Sequence, residues 1–136
     1  MPFQVEWLIQ DRIIHVKYQG DVSQPDITGI TAEVERFIEA GTAPLYYIAD
    51  LREIERVSGN PLKDRRNFTF VSHTKMGYVI SCGHLHPMAA FFAATMRQVL
   101  RFQFQYKHFQ TFEDGVTFLK HHDPSLEPSK DTSHAI

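Results

Sequence analysis

The stretch Pro44-Leu45-Tyr46-Tyr47-Ile48-Ala49-Asp50-Leu51 constrains the fold more than any other part of this chain. Aromatic and β-branched residues follow one another there without polar alternation, the pattern of a strand covered on both faces, and Asp50 ends the run where the carboxyl edge of a sheet is expected. The flanking chain can be arranged around it. Phe3, Val5, Trp7 and Ile9 alternate with polar residues, as do Ile14, Val16 and Tyr18 after the polar turn Gln10-Asp11-Arg12, which predicts a β-hairpin. His15 falls among the polar positions of the second strand and is expected in solvent. Gly20-Asp21-Val22 breaks that strand. Ser23 is placed to cap a helix, with Pro25 in its first turn and Asp26 three residues on, close to a capping box. Ile27, Ile30, Val34, Phe37 and Ile38 then recur at helical spacing up to Gly41, read as a C′ glycine. The unit is βαβ, so the second and third strands are expected to be parallel.

Beyond Leu51 the charged segment Arg52 to Val57 reads as a turn anchored by Leu51, Ile54 and Val57. Asn60 and Pro61 are suited to start a helix running to about Thr74, with Gly77 ending that element. Lys63-Asp64-Arg65-Arg66 marks its solvated face. Tyr78 to Cys82 reads as another interior strand, Met88 to Leu100 as the best-patterned helix, and Phe104 to Phe109 as an alternating edge strand. Thr111 caps a last amphipathic helix in which Phe112, Val116 and Leu119 face inward. Gly115 within that helix costs roughly 1 kcal/mol relative to alanine and signals a close neighbour. The fold class is α/β, in the order β-β-α-β-α-β-α-β-α, with four strands joined by helices after an N-terminal antiparallel strand. Residues 1–123 are expected to form one domain and Pro124 to Ile136 a flexible tail.

Composition narrows the function classes. With 14 basic against 16 acidic residues and no basic stripe, the chain lacks the electrostatic footprint of a nucleic-acid binder. Cys82 is the only cysteine, which rules out an intrachain disulfide. The reading is of a cytoplasmic protein without signal peptide or membrane span. No phosphate loop, dinucleotide fingerprint or nucleophile elbow is present.

The strand ending Ala49-Asp50-Leu51, the Ser58-Gly59 before the next helix, the closing Phe109-Gln110-Thr111-Phe112-Glu113-Asp114-Gly115-Val116 and the element order resemble the STAS superfamily. They are most similar to its SpoIIAA-like branch of small stand-alone domains, over roughly residues 3 to 123. The resemblance implies a stack of βα units forming a mixed five-stranded sheet with helices packed on it, and regulation by binding a protein partner rather than catalysis. It also implies a phosphoacceptor at Ser58, where bacterial anti-sigma-factor antagonists carry Asp-Ser-Ser-Gly. Here only Ser58-Gly59 matches, with Val57 and Arg56 in place of the first serine and the aspartate.

Ligands of open α/β sheets gather outside the carboxyl ends of the strands. The rim candidates are therefore Asp21, Asp50, Ser58, His84 and Thr111, with His86 beside His84. No catalytic residue, metal ligand set or cofactor is expected: two histidines fall short of a zinc site, and a mid-strand cysteine is ordinarily a small buried hydrophobe. Two other readings stand beside the regulatory one. The eleven phenylalanines and the Met88 to Leu100 helix allow an apolar or lipid-like ligand in a cavity beside that helix. An enzyme would require Asp50, Cys82 and His84 to converge. Self-association is compatible with each, through the edge strand or the alanine-bearing helix.

Overall fold

The computed structural model describes residues 3–57, 73–83 and 105–126. The elements are β1 (Phe3–Ile9), β2 (Ile13–Val22), α1 (Gln24–Ala40), β3 (Leu45–Val57), β4 (Met76–Cys82), β5 (Gln105–Phe109) and α2 (Phe112–His122), followed by a single 3-10 turn (Pro124–Leu126). The helices expected at Pro61 to Thr74 and Met88 to Leu100 lie outside the described residues.

The strands form one mixed sheet in the order β1-β2-β3-β4-β5. Only the β1–β2 pairing is antiparallel; β2–β3, β3–β4 and β4–β5 are parallel. Successive residues of the interior strands send their side chains to opposite faces. Ile14, Val16, Leu45, Tyr47 and Val79 meet Ile27, Ile30, Val34 and Ile38 of α1 on one face. Ile13, Tyr46, Ile48, Ile80 and Cys82 meet Leu119 of α2 and Leu126 on the other. The uninterrupted apolar run of β3 is thus explained by two cores, one on each side.

Local chemistry fixes the helix ends. Ser23 accepts from the Asp26 amide while the Asp26 carboxylate accepts from the Ser23 amide, the reciprocal capping box. Gly41 ends α1 with extended backbone, φ −85°, rather than the left-handed conformation expected of a C′ glycine. Its lack of a side chain serves packing instead: a Cβ there would lie 2.6 Å from Leu45 Cδ2 and 2.9 Å from Trp7 Cη2. The carbonyls at this end are satisfied from another part of the chain, since Lys75 Nζ donates to Ile38, Glu39 and Gly41 oxygens at 2.9, 3.2 and 3.2 Å. In α2 the close neighbour of Gly115 is Ile80, whose Cδ1 would meet a Cβ at 2.8 Å.

Other expectations are corrected as well. β3 does not stop at Leu51 but runs to Val57, and β2 continues through Gly20 to Val22. Two register irregularities, between Lys17 and Gln19 and between Gly20 and Asp21, keep the pair together, with Gly20 at φ +61°. Charged residues suit this extension because Arg52, Glu53, Glu55 and Arg56 are exposed there. Gly77 lies within β4 rather than ending a helix. His15 is buried, at 7 % exposure, because β2 is an interior strand flanked by β1 and β3. Finally, the packed chain does not end at residue 123. Leu126 is fully buried, and Arg12 donates to Asp123 Oδ2 at 2.8 Å and to Ser125 Oγ at 2.9 Å.

Candidate functional site

The carboxyl edge of the sheet is organised by Asp50. The parallel register sets Lys17, Asp50 and Cys82 side by side on β2, β3 and β4. Asp50 shares the α2 face with His15, two positions back on the neighbouring strand. His15 Nε2–H donates to Asp50 Oδ2 at 2.9 Å. Arg52, the next residue on that face of β3, folds back as a fork, with Nε donating to Oδ1 at 2.8 Å and Nη2 to Oδ2 at 2.6 Å. Its backbone amide adds a bond to Oδ1 at 3.2 Å. A carboxylate offers about four acceptor positions, and all four on Asp50 are filled by these donors.

α2 closes the site. Thr111 caps it by accepting from the Asp114 amide at 3.1 Å, and Glu113 and Asp114 complement the positive end of its dipole. This start position brings Phe112 over the cluster. Its ring centroid is 4.8 Å from that of His15, and the Arg52 guanidinium lies 4.8 Å from its centroid. Glu6 of β1 reaches within 4.0 Å of His15 Nδ1.

The electrostatics follow from these contacts. Burial works to raise the Asp50 carboxyl. The hydrogen bonds from Arg52 and His15, the Arg52 amide and the guanidinium charge outweigh it and hold the group far below the ordinary carboxylate range. Arg52 is correspondingly held above its ordinary range, chiefly by its hydrogen bonds to Asp50, although burial opposes this. Cys82 is fully buried, and burial followed by the Asp50 charge pushes its thiol up to about 12, against smaller opposing contributions from Arg52 and the Leu51 amide. A thiol so placed is protonated and unreactive at neutral pH. The folded protein is therefore expected to alkylate with iodoacetamide roughly 10²–10³-fold more slowly than the unfolded chain, which stopped-time mass spectrometry measures directly.

The rim residues read from the sequence are dispersed. Asp50 is buried at the centre of the cluster. Asp21 is at the end of β2, where Arg56 Nη2 donates to it at 2.6 Å; both partners are largely exposed, so the pair contributes little. Thr111 is the exposed cap of α2. Ser58, His84 and His86 lie outside the described residues. The convergence required by an enzyme reading brings Asp50 and Cys82 together as strand partners, with neither group free to react. Of the other members of the cluster, the sequence reading placed His15 in solvent, Arg52 in a turn and Phe112 on the inward face of the last helix, and assigned none of them to a site. Their signal was periodicity two carried one residue beyond Leu51, which aligns Arg52 with Asp50. Among the described residues no group of three or more His, Cys, Asp or Glu is placed to hold a metal ion, and no helix is long and apolar enough to cross a membrane.

The chain matches no family model and no curated protein. Among solved structures it is similar to an uncharacterized Shewanella loihica protein of the DUF3478 family with a SpoIIAA-like fold. The TM-score is 0.59 and the identity 17 %, covering 86 % of this chain and 91 % of that one. It is also similar to the anti-sigma factor antagonist SpoIIAA in its unphosphorylated form, with TM-score 0.53, 18 % identity and coverage of 87 % and 97 %. The Bacillus cell fate determinant SpoIIAA in its phosphorylated form matches with TM-score 0.52 and 16 % identity over 86 % and 98 %. The fold is the mixed five-stranded, SpoIIAA-like α/β fold.

Proposed function

We propose that this SpoIIAA-like domain is a non-catalytic regulatory module that acts by binding a protein partner, in a cytoplasmic setting. The observation that carries this reading is the saturation of Asp50. With its four acceptor positions filled and the Cys82 thiol buried and protonated, the Asp50 cluster offers shape and charge, and neither Asp50 nor Cys82 is free to react. Likeness to SpoIIAA, an anti-sigma factor antagonist with phosphorylated and unphosphorylated forms, supports the same reading.

The β2–β3 extension is the proposed partner surface. It passes the last β3–β4 pair, Asp50 with Cys82, and displays Arg52, Glu53, Glu55 and Arg56 before leading into Ser58. Ser58 is the proposed phosphoacceptor. A phosphate there would add about −1.5 to −2 charges next to a surface already bearing Glu53 and Glu55, changing which partner charges it accepts.

Native mass spectrometry of the protein taken gently from its own host tests this. The expected result is a stoichiometric protein partner that is lost when Glu53→Lys and Glu55→Lys are combined, with circular dichroism unchanged, and phosphate on Ser58 in a fraction of molecules. A copurified apolar small molecule with no protein partner would overturn the regulatory reading in favour of ligand binding beside the Met88 to Leu100 helix. A partner retained by the charge-reversed variant would remove the extension as its docking surface.

A further inference from the structure

On the face of the sheet opposite Asp50, β4 and β5 bring together three side chains that the regulatory reading does not use. Ser81 and His108 are register partners, and Ser81 Oγ lies 2.7 Å from His108 Nδ1. His108 Nε2 is 3.1 Å from the carbonyl oxygen of Gly83. A carbonyl only accepts, so Nε2 carries a proton; in the neutral ring Nδ1 is then the acceptor, and Ser81 Oγ–H donates to it. With its own proton so committed, Ser81 Oγ accepts from the Tyr106 hydroxyl, with which it is in close hydrogen-bond contact.

The wire therefore has one direction, from Tyr106 through Ser81 to His108, with Gly83 orienting the imidazole. Gly83 can supply that carbonyl because it adopts φ +135°, and a Cβ there would sit 3.2 Å from the Leu51 carbonyl carbon. A hydroxyl in contact with a neutral imidazole, which is itself held by a third group, is the arrangement that makes serine a nucleophile.

We propose that Ser81 is an acyl acceptor, taking a small acyl group from an activated ester or thioester. Oγ forms a bond to the acyl carbon while its proton passes to His108 Nδ1. The carbon–oxygen or carbon–sulfur bond of the donor then breaks, and the departing oxygen or sulfur takes the proton back from His108. The products are O-acyl-Ser81, the free alcohol or thiol, and a neutral histidine, with no redox partner involved. Ser81 is 5 % exposed, whereas Tyr106 and His108 of the edge strand β5 are half-buried, so the acyl group must be small and must enter past them.

p-Nitrophenyl acetate is the probe, read by release of p-nitrophenolate and by peptide mapping. The full-length protein is expected to gain one acetyl group on Ser81. Ser81→Ala, nearly isosteric, should gain none there, and His108→Gln should label roughly 10²-fold more slowly. The pH profile separates proton transfer from a structural role: the wild-type rate should rise through one ionisation that is absent in His108→Gln. Acetyl confined to lysines, or labelling of Ser81 at the wild-type rate and with the wild-type pH profile in His108→Gln, would overturn the proposal. The wild-type mapping decides the matter even if a variant fails to fold.

Discussion

Asp50→Asn is expected to lower the unfolding free energy by about 3 kcal/mol at neutral pH, the largest effect of any rim substitution. Asparagine keeps the shape of the side chain but presents an NH₂ group where Asp50 accepts only. That NH₂ must face either the Arg52 fork or His15 Nε2, both donors, in a site whose side chain is 2 % exposed. The loss is smaller than for a fully enclosed ion pair because Arg52 is 40 % exposed and can turn to water. The acid dependence has a definite sign. The folded carboxyl is held below its ordinary value of 3.8, so its contribution is fully present above that value and is lost as the pH falls from 3.8 toward the lowered folded value. Urea unfolding across this range should show a steep acid limb in the wild type and a flatter one in Asp50→Asn. Parallel limbs would mean that the carboxylate is not the source of the acid sensitivity.

Leu126→Ala is expected to cost about 3 kcal/mol, with an unchanged m-value. Leu126 is fully buried on the α2 face with Ile13, Tyr46, Ile48 and Ile80. Its 3-10 turn is tied down ahead of it by Asp123, whose Oδ2 accepts from Arg12 Nη2 and from the Tyr46 hydroxyl, each at 2.8 Å. A residue of a loose tail would change stability by less than about 0.5 kcal/mol. The same urea titration separates the two outcomes, and a null effect would return the domain boundary to residue 123.

The stabilising clusters and the proposed partner surface occupy different parts of this fold. The Asp50 cluster seals one face at the carboxyl edge by charge and hydrogen bonds, while the docked turn seals the same face at the amino edge by apolar burial. The β2–β3 extension lies beyond both seals. Substitution there, at Glu53 or Glu55, is therefore expected to leave the core intact.

What the sequence determined by itself was everything governed by period and by neighbours a few residues apart. The apolar run of β3, the capping box of Ser23 and Asp26, the α1 face from Ile27 to Ile38 and the tight packing at Gly115 are all of that kind, because spacing and capping act within one or two turns of chain. What only the tertiary structure decided depended on strand neighbours distant in sequence. His15 is buried because β2 lies between β1 and β3, and Arg52 to Arg56 form a strand because β2 extends beside them. Asp50 is saturated because His15 of β2 joins the Arg52 fork of β3 on its carboxylate, and Ser81 meets His108 only through the β4–β5 register. A polar residue reads the same in one dimension whether it faces water or a partner from another strand; the packing of the sheet makes that choice.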